Sequence, residues 1–134
     1  VNDDPEVLTE VFSKLSYIGV PPYYVFLCRP TLGNETYSVS VERGYEIFEK
    51  SRTLCSGLAK RARLVMSDES GKIEVLGMSE DQIFFKFLRA ANKTDNARFL
   101  AFFRNPEACW FDDYQEASDE FSLFSQTTVK AGCP

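Results

Sequence analysis

Residues 82 to 104 constrain this chain more than any other stretch. They read Gln-Ile-Phe-Phe-Lys-Phe-Leu-Arg, then Ala-Ala-Asn-Lys-Thr-Asp-Asn, then Ala-Arg-Phe-Leu-Ala-Phe-Phe-Arg. Two aromatic-rich runs around a polar connector are the pattern of an antiparallel hairpin. Alternation puts Ile83, Phe85 and Phe87 on one face, with Phe84 and Leu88 flanking Lys86 on the other. In the second run Phe99, Ala101 and Phe103 share a face, opposite Leu100 and Phe102. Both faces are apolar, so neither is expected to be simply solvated. Either a second layer covers one of them or something docks there.

The flanking sequence predicts more strands and one opening helix. Asp3-Asp4-Pro5 is a helix start, with an acidic cap and a proline whose missing N–H does no harm. Val7, Leu8, Val11, Phe12 and Leu15 follow at helical spacing, and Glu10 and Lys14 stand four apart as a favourable pair. Pro21-Pro22 stops the helix near Tyr17 to Gly19. Tyr23 to Arg29 then reads as a strand. So does Thr36 to Arg43, with Tyr37, Val39 and Val41 inward and Gly44 as a bulge before Tyr45, Ile47 and Phe48. Residues 59–66 and 72–76 form a hairpin around Ser67 to Gly71. Short intervals between strand candidates favour a barrel or sandwich over alternating β and α units. With 134 residues and 12 Phe, residues 1–134 are expected to form a single β-rich domain with an aromatic core.

Cys28, Cys55, Cys109 and Cys133 are widely spaced, with no Cys-x-x-Cys pair. They are read as two disulfides of an extracellular protein, with all three connectivities open. Asn34-Glu35-Thr36 and Asn92-Lys93-Thr94 are N-glycosylation patterns in expected turns. A start at Val1 is read as processing or trimming. Together these features predict a secreted glycoprotein. No 18-residue apolar segment is present, so no transmembrane helix is expected.

The chain has no histidine, which removes the usual base for a Ser or Cys nucleophile and the commonest zinc ligand. Asp112 and Asp113 are adjacent but define no cleft. Glu107, Asp112, Asp113, Glu116, Asp119 and Glu120 form an acidic stretch without the ordered spacing of a calcium loop. Lys50, Arg52, Lys60, Arg61 and Arg63 form a basic one, available to an anionic ligand or to the acidic segment. No phosphate-loop pattern occurs, and a net charge of -5 disfavours nucleic acid. The reading is therefore non-enzymatic, with no catalytic residue, no metal and no cofactor.

The opening helix, Tyr23-Tyr24-Val25-Phe26-Leu27 as a first strand, successive hairpins, and Cys109-Trp110-Phe111 before a cysteine-bearing end resemble a divergent secreted lipocalin of the arthropod salivary type. Gly19-Val20-Pro21 stands where the commoner pattern has Gly-x-Trp. The resemblance implies a mainly β fold: an antiparallel lipocalin-like barrel with a short N-terminal helix around a small ligand. A β-sandwich and an α+β cystatin-like sheet are the alternatives. The function so implied is extracellular binding of a small hydrophobic or amphipathic molecule. The alternative is a secreted protein–protein interaction module acting through an exposed surface. Tyr37, Val39, Phe85, Phe87, Phe99 and Phe103 are the expected pocket lining, unless they simply fill a dry core. Arg61 and Arg63 are the candidates for an anionic group.

Overall fold

The computed structural model describes residues 2–114. The opening helix α1 runs over Pro5–Tyr17. The Asp4 side chain caps it by accepting from the Glu6 N–H at 2.8 Å, and Lys14 reaches Glu10 at 2.5 Å. Leu8 and Phe12 are its buried positions, four residues apart on one stripe. A short strand β1, Tyr24–Phe26, follows.

Residues 36–43 depart from the expected strand. Glu35–Tyr37 makes a 3-10 turn, and helix α2 occupies Val41–Thr53. Ser40 caps α2 by accepting from the Arg43 N–H at 3.4 Å. The buried positions Val41, Gly44, Ile47, Phe48 and Ser51 recur at helical spacing. Gly44 is therefore not a bulge. It lies where α2 meets the chain after β1, and a Cβ there would fall 2.5 Å from Leu27 Cδ2.

A 3-10 segment, Gly57–Arg61, leads into β2, Arg63–Asp68. Strands β3, Gly71–Met78, β4, Gln82–Ala90, and β5, Phe99–Phe103, complete one sheet in the order β1-β2-β3-β4-β5. β1 pairs parallel to β2, and every later pairing is antiparallel. Gly71 closes the β2–β3 turn at φ +133, where a Cβ would run into the Arg89 carbonyl of β4.

The barrel expectation is corrected here: β1 and β5 lie at opposite ends of an open sheet, and no described pairing joins them. The molecule is an α+β protein with a predominantly antiparallel sheet, the coarser form of one alternative. Both helices pack on one sheet face, joining Leu64, Met66, Ile73, Val75, Ile83 and Phe85 in one hydrophobic core. No helix among the described residues is long and apolar enough to cross a membrane.

Candidate functional site

A cavity of about 780 Å³ opens between α1, β1, α2 and the segment that follows β1. Its apolar wall includes Leu8 and Phe12 from α1, Val25 and Leu27 beside β1, and Ile47 and Phe48 from α2. Phe12 and Phe48 meet edge to face at 6.4 Å. Asp3, Tyr37 and Ser38 add polar atoms to the lining, and no Lys or Arg is found among its described residues. A backbone hydrogen bond holds the Asp3 carboxyl below its ordinary range. The apolar part of the wall can accommodate an aliphatic stem.

The six expected pocket residues are not gathered into one site. Tyr37 and Val39 line this cavity. Phe85 and Phe87 belong to the solid core instead. The Phe85 ring lies 5.4 Å from Phe111, 5.3 Å from Tyr114 and 5.8 Å from Phe102. Phe99 and Phe103 are exposed at the sheet edge. Arg61 and Arg63 are exposed and do not line the cavity, and Arg63 faces Glu74 at 3.9 Å.

The described residues hold no group of three or more His, Cys, Asp or Glu arranged for a metal ion. Asp113 is spent on its own loop, where Oδ2 accepts from the N–H groups of Cys109 and Trp110 at 2.8 and 3.0 Å. The buried carboxylate that sequence reasoning missed is Glu42. It accepts from Arg104 Nε at 3.0 Å, Arg104 Nη2 at 2.8 Å and the Asn105 N–H at 2.9 Å. The pair fastens α2 to the end of β5. An alternation that places Glu42 outward on a strand gives no hint of it.

The disulfide expectation is corrected: Cys28, Cys55 and Cys109 are free thiols, and Cys133 lies outside the described residues. Cys55 is buried beside α1, its Sγ 4.0 Å from the Thr9 carbonyl. Asn34 and Asn92 do sit in turns. Asn34 donates to the Arg29 carbonyl at 2.8 Å, and Asn92 accepts from the Thr94 N–H at 3.3 Å.

No protein-family model matches the chain. It is 52% identical over 121 residues, 90% of its length, to a protein of Aquifex aeolicus (strain VF5) provisionally named L-lysine 2,3-aminomutase. It is 42% identical over 57 residues, 42% of its length, to the L-lysine 2,3-aminomutase of Clostridium subterminale. A third similarity, 32% over 71 residues or 53% of the chain, is to the glutamate 2,3-aminomutase of Clostridioides difficile (strain 630). The chain spans 32%, 14% and 17% of these relatives' lengths. Similarity to proteins named as mutases overturns the lipocalin likeness and the non-enzymatic reading that came with it. The expectation of a secreted, disulfide-bonded glycoprotein falls too, since its cysteines are unpaired among the described residues and the lipocalin likeness behind it is gone.

Proposed function

We propose that this chain forms part of an enzyme that moves an amino group between C2 and C3 of an amino acid, with L-lysine as substrate. The observation that carries the reading is the 52% identity over 121 residues to the Aquifex aeolicus protein, a span covering 90% of this chain. Such a reaction is an isomerisation. The C2–N bond breaks, a C3–N bond forms, and one hydrogen passes from C3 to C2 with no net oxidation. No described side chain is assigned to that migration. The chain's own contribution in this reading is the cavity, whose walls fit a four-carbon aliphatic stem. The Tyr37 ring, exposed in its lining, suits a terminal ammonium.

The test uses the protein carrying this chain, incubated separately with L-lysine and L-glutamate and followed by carbon NMR. The 3-amino isomer of lysine should accumulate, and lysine should shift the amide signals of Tyr37 and Val39. Absence of both effects would overturn the reading.

A further inference from the structure

Gly44 is buried within α2 and has no conformational need to be glycine. The glycines with positive φ among the described residues are Gly19, Gly33, Gly57 and Gly71. Gly44 instead makes an ordinary helical bond, its N–H donating to the Ser40 carbonyl at 2.9 Å. Glycine in such a place weakens a helix relative to alanine. What it supplies is room. A Cβ at this position would fall 2.5 Å from Leu27 Cδ2 and 3.5 Å from Val39 Cγ2. Leu27, Val39 and Gly44 all line the cavity between α1, β1 and α2. The Leu27 backbone is held to the sheet, since its N–H donates to the Val65 carbonyl of β2 at 3.0 Å. A group added at residue 44 therefore displaces the Leu27 side chain rather than the strand.

We infer that Gly44 is a specificity-determining residue of this cavity. By letting Leu27 lie against α2, it sets the length of aliphatic stem that the cavity accepts. The inference rests on the reading of the cavity as the amino-acid site, and it adds to that reading the residue that measures the substrate. Its basis is steric. Leu27 shares the apolar wall with Leu8, Phe12, Val25, Ile47 and Phe48. Phe12 and Phe48 are buried and braced edge to face at 6.4 Å, so the wall behind them is packed and does not yield. A methyl group at residue 44 overfills the contact with Leu27, and the displaced isobutyl group takes its space from the cavity. In an apolar pocket, room for one methylene separates two substrates by about 10- to 200-fold.

The test uses the protein carrying this chain and compares its binding of L-lysine with that of L-ornithine, whose stem is one methylene shorter, by isothermal titration calorimetry. The wild type should prefer lysine. Gly44→Ala should weaken lysine binding about tenfold and leave ornithine binding nearly unchanged. Alanine favours the helical state of α2, and far-UV circular dichroism checks that the variant folds. Adding Leu27→Ala to Gly44→Ala removes the displaced group and should restore the preference for lysine. Leu27→Ala alone lengthens the cavity and should raise the affinity for L-homolysine, one methylene longer, relative to that for lysine. A wild type without a preference for lysine would overturn the substrate reading and this inference with it. If the wild type does prefer lysine, the substrate reading stands and the inference alone is overturned by any of three results. These are an unchanged lysine-to-ornithine ratio in Gly44→Ala, a double variant no better than Gly44→Ala, and an unchanged stem preference in Leu27→Ala.

Discussion

Glu42 shows how a single side chain can hold distant elements together. Its side chain is 4% exposed, against 32% for Arg104, so removing the acid strands a cation that is only partly able to reach water. Glu42→Ala should cost about 2–4 kcal/mol, below the range for fully buried pairs because Arg104 keeps some solvent. Urea unfolding checks this, and an unchanged midpoint would mean that the pair is replaced by hydration. Gly71 belongs to the same scale: Gly71→Ala combines a left-handed φ with a collision against the β4 backbone. It should destabilise by about 2 kcal/mol or more, read in the same assay. The glycine was legible as a turn residue, because it closes a polar five-residue stretch between apolar runs. Glu42 was not, since a buried ion pair between residues 62 apart leaves no local trace in the sequence.

At the scale of elements, legibility followed the clarity of the period. α1 was readable from its cap, proline and apolar stripe, and the β2–β3 and β4–β5 hairpins from alternation interrupted by polar turns. α2 was hidden because Tyr37, Val39 and Val41 alternate by chance across the helix start at Val41, which made Gly44 look like a strand defect. The cavity was equally out of reach, since α2 supplies part of its wall. Alternation in β4 correctly divided its faces but did not say which face holds a pocket. Phe85 and Phe103 make the distinction measurable. Phe85 is enclosed by three aromatic rings, so Phe85→Ala should cost about 3–5 kcal/mol. Phe103 is exposed at an edge, so Phe103→Ala should change stability by less than about 1 kcal/mol. Comparable losses at the two positions would contradict the placement of Phe103 outside the core.

For the whole molecule, strand count suggested closure, but closure depends on which strands meet, and β1 enters beside β2 through a crossover that contains α2. One core then links helices and sheet, and its phenols tie the stability of the fold to alkaline pH. Burial pushes the Tyr114 hydroxyl far above its ordinary value, with the Glu42 and Asp113 charges adding to the effect. Tyr45 is raised in the same direction, by burial and then by Glu49. A raised value means that the folded state holds the phenol proton more tightly than the unfolded chain does. The resulting stabilisation is complete below the unfolded value of about 10 and is lost as pH climbs toward the folded values. Stability should therefore begin to fall as pH rises past about 10 and go on falling above it. Tyr114→Phe should lose about 1 kcal/mol at neutral pH, because its hydroxyl donates to the Asn105 carbonyl at 3.3 Å. It should also show a shallower alkaline decline, since the most strongly shifted phenol is gone. Urea midpoints across this range decide the matter, with phenolate absorbance recorded in parallel. An identical slope for wild type and Tyr114→Phe would place the alkaline sensitivity elsewhere than in the Phe85–Tyr114 cluster.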